Sequence, residues 1–128
     1  MNVTRIERGW AGHFICADRC RFRRNTLLVC GEVRIVVSTV GLMRRIDDKG
    51  FETVGHNRHF ETMAFHADSE NRRFWDADVQ RQLSFNSPWR IEEVDADDRA
   101  NDMHEAVVAE ITERLANGER FQEDAANE

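Results

Sequence analysis

The chain has no tyrosine, one proline (Pro88) and one lysine (Lys49) among its 128 residues. One proline and no low-complexity run before the C-terminal tail argue against a linker, so residues 1–118 are expected to form a single domain, with a flexible acidic tail at 119–128. No apolar run approaches the length of a membrane span, and the start Met1-Asn2-Val3-Thr4-Arg5-Ile6-Glu7 lacks the hydrophobic stretch of a signal peptide; a cytoplasmic protein without a membrane partner is expected. The three cysteines, Cys16, Cys20 and Cys30, lack the paired spacing of a zinc site or a disulfide framework and are expected to be reduced thiols. There is no P-loop, no Gly-x-Gly-x-x-Gly and no Gly-x-Ser-x-Gly, so the signatures of a nucleotide-consuming enzyme are missing, and no cofactor is implied.

With lysine nearly absent, positive charge rests on arginine, and it is unevenly spread. Nine arginines fall in residues 1–45 against three acidic residues, whereas residues 46–128 carry nine basic and twenty-one acidic side chains, within a net charge of −6. Planar guanidinium forks suit bidentate phosphate contacts and stacking on flat rings. A net-acidic chain repels duplex nucleic acid, so a compact anionic ligand fits better than a polyanion. The same arginines have a structural use, because residues 91–128 hold thirteen acidic and three basic side chains with which they can pair.

Short apolar, β-branched or aromatic runs predict strands at Gly12–Ala17, Thr26–Cys30 and Val33–Val40, the last two forming a hairpin across Gly31-Glu32. Val33–Val40 is apolar on both parities, as in a strand covered on both faces. After the turn Asp47-Asp48-Lys49-Gly50, extended segments are expected at Phe51–Val54 and Arg58–His66. Trp75–Phe85 alternates with period two, broken only by Arg81, and Trp89–Val94 offers a last strand after Pro88. Ala100, Met103, Val107, Ile111 and Leu115 then fall on one helical stripe, with Asp97 or Asp98 as cap and Gly118 as stop. The expectation is an α+β fold: an antiparallel β-sheet of about six strands followed by one amphipathic C-terminal helix. A chain of this size buries a modest fraction of its surface, which favours at least a dimer.

Candidate ligand contacts follow from residue chemistry. Arg21, Arg23, Arg24 and Asn25 form one polar cluster; Asn57, Arg58 and Phe60, within Gly55–Thr62, form a second that offers a guanidinium to phosphate, an amide to a base or ribose, and a ring to a purine. Stacking of that kind is worth ~1–3 kcal/mol per base. Trp10, Phe85 and Trp89 are further aromatic candidates, each with an alternative as core, and His13 lies near Trp10. Asn101 and His104, one turn apart at the start of the helix, are placed where a helix N-terminus attracts phosphate, although Asp97, Asp98 and Asp102 oppose this. Two catalytic readings compete: a hydrolytic metal held by His56, His59 and His66 with Asp76 and Asp78, and a nucleophilic Cys16 or Cys20 with His13. On strands, His56 and His59, His59 and His66, and His13 and Cys16 all have opposite parity and point apart.

The blocks Arg8-Gly9-Trp10-Ala11-Gly12-His13-Phe14-Ile15-Cys16, Phe22-Arg23-Arg24-Asn25-Thr26-Leu27-Leu28, Ile35–Gly41, Glu61–Phe65 and Ala100–Glu105 resemble the type 1 Thoeris anti-defence family of phages and prophages. The resemblance implies a sponge inside a bacterial host cell that sequesters cyclic ADP-ribose isomers, in some members cyclic oligonucleotides, without cleaving them. It also implies a homo-oligomer, dimers assembling into hexamers, with pockets between subunits. Two alternatives stand beside it: a protein-binding phage inhibitor whose acidic C-terminal half mimics nucleic acid or blocks a host defence enzyme, and a small metal-dependent phosphodiesterase.

Overall fold

Runs of Val, Ile and Thr on either side of Gly31 build the centre of the molecule, and a computed structural model describes residues 1–10 and 12–121. Ala11, and residues 122–128 of the expected tail, lie outside the described residues. The elements are β1 (Thr4–Arg8), β2 (Cys20–Cys30), β3 (Val33–Arg44), β4 (Phe51–Glu52), β5 (Phe60–Ala67), β6 (Ala77–Gln82), β7 (Arg90–Ile91) and α1 (Asp97–Ala116), with a 3-10 turn at Ala17–Arg19 before β2. They form an α+β fold: one seven-stranded antiparallel sheet in the order β1-β2-β3-β5-β6, with β4 beside β3 and β7 beside β5, and the C-terminal helix. The β2–β3 hairpin sets Thr26 opposite Val37 and Leu28 opposite Ile35, and Gly31 supplies the positive φ (+60°) of its turn.

Alternation along the strands divides the core into two layers. On one face Leu28, Ile35, Val37 and Ala64 meet Val107, Val108, Ile111 and Leu115 of α1, while Leu42, Phe60 and Ile91 meet Ala96, Ala100 and Met103. The helical stripe read from the sequence is therefore the packing face. On the opposite face Leu27, Val36 and Ala67 pack with Trp75, and Ala17, Cys20, Val40, Met43 and Val54 form a second cluster. Val33–Val40 is apolar on both parities because β3 is buried from both sides.

Several local expectations change. Gly12–Ala17 is a loop and not a strand: Phe14 takes a left-handed φ of 76°, and the segment folds onto the sheet with His13 buried. Its place in the sheet is taken by β1, a charged edge strand without an apolar alternation to announce it. The strands expected at Phe51–Val54 and Trp89–Val94 are only the two residues each of β4 and β7. At the helix start, Asp97 and Asp98 lie in the first turn and the cap position is Ala96, with no side-chain capping bond.

Candidate functional site

The sequence-derived candidates divide between the two faces of the sheet: Arg21, Arg23, Arg24, Asn25 and Phe60 lie on strands, and the others on loops and on α1. On the helix side, Arg24 donates to Glu105 Oε2 (2.7 Å) and Asn101 Oδ1 (2.9 Å) and pairs with Glu7. His104 is fully buried below this cluster. Its Nε2 lies 2.7 Å from Thr26 Oγ1 and its Nδ1 2.7 Å from Thr39 Oγ1, which in turn contacts Thr62 Oγ1 at 2.6 Å. Burial, with Arg24 nearby, lowers the His104 pKa to about 3, so the ring is neutral. Thr26 donates to Glu7, which leaves its oxygen free to accept from His104 Nε2–H. Thr39 then donates to Nδ1 and accepts from Thr62, so every polar atom of this buried chain is satisfied. His104 and Phe60, which is also fully buried and sits edge-on to Phe22, belong to the core and present nothing to a ligand.

On the opposite face, His13 lies between Ser38 and Glu61, with Nδ1 2.6 Å from Ser38 Oγ and Nε2 3.2 Å from Glu61 Oε1. Arg58 Nε donates to the other Glu61 oxygen at 2.8 Å. Burial opposes ionisation of Glu61, but the bonds from His13 and Arg58 together outweigh it and hold its pKa below the ordinary carboxylate range. A hydroxyl, an imidazole and a carboxylate in line resemble a nucleophilic relay, yet Ser38 has no exposed surface for a substrate to reach. Beside it, buried Asn25 accepts from Arg8 at 3.1 and 3.0 Å, and its Nδ2 has no partner among the described residues. Trp10 donates to Asp76 Oδ1 at 2.8 Å under the Arg8 guanidinium. Trp89 is flanked by Arg58 (4.8 Å) and Arg90 (5.4 Å), and shares a small hollow with Phe85. Asn57 lies in an exposed turn with φ 55°, and Arg21 and Arg23 extend into solvent. The structure thus joins Arg24 with Asn101, and His13 with Arg58 through Glu61, but gathers the candidates into no common pocket.

Neither catalytic reading gains a constellation. His59 Nδ1 is held by Glu92 O at 2.6 Å, His66 contacts Phe121 O, and Asp76 is bound by Trp10 and Asn71. Among the described residues no three His, Cys, Asp or Glu side chains gather as a ligand set. Burial pushes the Cys20 thiol up to about 11, which keeps it protonated at neutral pH.

A sizeable cleft lies elsewhere, at the end of the sheet where the β2–β3 turn meets the loop after β5. It encloses about 590 Å³ and is lined by Arg34, Arg72, Arg81 and Arg120 with His66 and Trp75. Glu32 is the only carboxylate among its described lining residues. The Arg34 guanidinium lies 4.2 Å from the Trp75 ring centroid, a stacked arrangement that holds the fork in place. Among the described residues Arg34, Arg72 and Arg120 have no carboxylate partner, in contrast to Arg5, Arg24, Arg58 and Arg114, which are all in ion pairs. None of the contacts named from the sequence lines this cleft. The available signals were Arg81, which breaks the alternation of its strand, and Arg34, set inside an apolar run; only folding brings them together. Comparison with known proteins adds no relative: no family model, curated protein or solved structure matches the chain.

Proposed function

We propose that the protein binds a compact, multiply anionic nucleotide signal and sequesters it unaltered. Cyclic ADP-ribose isomers, and then cyclic oligonucleotides, are the ligand classes of choice, in keeping with the anti-defence resemblance of the sequence. One observation carries this reading: the arginine-lined cleft beside Trp75. Its volume is that of a small-molecule site, roughly 300–1,000 Å³. The guanidinium forks of Arg34, Arg72 and Arg120 suit phosphate oxygens, and the Trp75 indole suits a base. Sequestration needs tight stoichiometric binding and no reacting group; at micromolar signal levels it asks for roughly −10 to −12 kcal/mol of binding free energy.

The test is retention and recovery. The protein is incubated with cyclic ADP-ribose isomers or cyclic oligonucleotides, filtered, and the retained fraction is heated and chromatographed. A sponge depletes the ligand and releases it intact, and Arg34→Ala or Arg72→Ala weakens capture at least about tenfold, the ~1.4 kcal/mol of one lost charge-assisted contact. Recovery of a cleaved product would replace binding by hydrolysis. If every ligand stays in the filtrate, the reading fails. A second reading, an inhibitor directed at a protein, is favoured by the apolar side chains beside the 12–16 loop, where Ile15 is 97 % and Val79 61 % exposed. In the same assay it leaves the ligand free.

A further inference from the structure

The cleft beside Trp75 is not uniformly cationic. Its arginines come from four places, Arg34 on β3, Arg72 in the loop after β5, Arg81 on β6 and Arg120 beyond α1, whereas its carboxylate, Glu32, comes from the β2–β3 turn. That turn is the two residues Gly31-Glu32 between the paired Cys30 and Val33. Only Gly31 in it has a positive φ (+60°), the pattern of a tight type II′ hairpin turn. The backbone of Glu32 is thereby fixed, and the exposed residue lines the cleft. Among the described residues Glu32 has no ion pair, in contrast to Glu7, Glu52, Glu61 and Glu105, each of which meets an arginine.

We infer that Glu32 is the specificity-determining residue of this cleft: it accepts hydrogen bonds from ribose hydroxyls of the bound nucleotide and keeps a phosphate from taking their place. The inference rests on the cleft being the nucleotide site proposed above. An ionised carboxylate only accepts, so a nucleotide must turn its phosphates toward the guanidinium groups and a donor toward Glu32. Ribose hydroxyls are donors one sugar away from a phosphate. Glu32 and Arg34 are two residues apart, so their Cα atoms lie no more than about 7 Å from each other, a step of that kind. Arg34 is held against Trp75 at 4.2 Å, which fixes the phosphate end of the step. Acidic residues serve in this way in dinucleotide sites, where a carboxylate takes the ribose 2′-hydroxyl and a 2′-phosphate calls for arginine instead. The consequence runs against bulk charge. Arginines alone would hold a more highly phosphorylated ligand more tightly, and Glu32 reverses that order at the position it faces. A base amine is the other donor that a nucleotide carries, and a deoxy probe separates it from the ribose.

Calorimetric titration of the full chain at low ionic strength with cyclic ADP-ribose, its 2′-deoxy form and its 2′-phosphate tests this. The wild type is expected to hold cyclic ADP-ribose about tenfold more tightly than either of the other two, the worth of one charge-assisted contact. Glu32→Gln keeps the shape of the side chain and removes its charge. It should bind cyclic ADP-ribose more weakly than the wild type and the 2′-phosphate about tenfold more tightly, with an unchanged far-ultraviolet spectrum. Shifts of opposite sign do not come from a mere loss of negative charge, which would tighten both ligands. Tightening of both by Glu32→Gln, no change in either, equal affinity of the wild type for the ribose and deoxyribose forms, or a wild-type preference for the 2′-phosphate would each overturn the proposal. So would a wild type that binds none of the three probes; capture of another cyclic nucleotide in the retention assay would then leave the sponge reading standing without it.

Discussion

His104 shows how one side chain ties helix to sheet and sets the acid limit of the fold. A neutral imidazole buried between Thr26 and Thr39 satisfies both hydroxyls, and its pKa of about 3 lies far below the ordinary value. Below pH ~6.5 the unfolded chain takes up this proton and the folded chain does not, so stability falls as the pH drops from ~6.5 toward 3. The loss from this group is roughly 3–5 kcal/mol over that window, measurable by urea titration at each pH. Glu105, held down to about 2 mainly by Arg5 and then Arg24, acts in a lower window. Its contribution is full above its unfolded pKa of ~4.5 and is lost as the pH falls toward 2. A His104→Gln variant should therefore flatten the slope between pH 6.5 and 4.5 and leave the steeper fall below it. An unchanged slope above pH 4.5 would show that the linkage lies elsewhere.

At the scale of elements, one close approach within the sheet and the packing of α1 on it hold the fold together. A Cβ on Gly41 would come within 2.2 Å of Phe60 Cδ2 and 2.8 Å of the His59 carbonyl, so β3 can cross β5 at this point only with glycine. Gly41→Val is expected to destabilise by at least about 1–3 kcal/mol through overpacking, read as a lower urea midpoint at unchanged slope. Removing packing from the other side has its own signature. Ile111→Ala empties the centre of the α1 stripe, where Ile111 has no exposed surface, and should lower stability by about 2–5 kcal/mol. Should Ile111→Ala melt like the wild type, the helix would not be packed on the sheet as described.

For the whole molecule, the proposed binding and the folding rest on different arginines. Arg24 and Arg58 are built into ion pairs that join strands, loop and helix, whereas Arg34 and Arg72 line the cleft. Substituting alanine at Arg24 or Arg58 should lower stability, and doing so at Arg72 should leave it within about ±0.5 kcal/mol, as for ordinary surface changes, while weakening capture at least about tenfold. Raising ionic strength should weaken capture, because several guanidinium contacts in an open cleft are screened within about 10 Å at 0.1 M salt. Capture indifferent to salt would point away from an arginine-based site.

The α+β class, the central hairpin and the terminal helix were legible because they follow from periodicities local to a few residues: both parities apolar in Val33–Val40, one helical stripe from Ala100 to Leu115, a glycine at the turn. β1 was not, since an edge strand that buries almost nothing carries no hydrophobic pattern, and Gly12–Ala17 misled because a loop packed onto a sheet face is as apolar as a strand. The sequence by itself determined that the positive charge would be guanidinium and that enough carboxylates existed to neutralise much of it. Which arginines came to join strands to the helix and which came to line a cleft was decided only by tertiary structure. Neighbours such as Arg23 and Arg24 project from opposite faces of one strand, while Arg34, Arg72, Arg81 and Arg120, far apart in the chain, are brought together by its pairing.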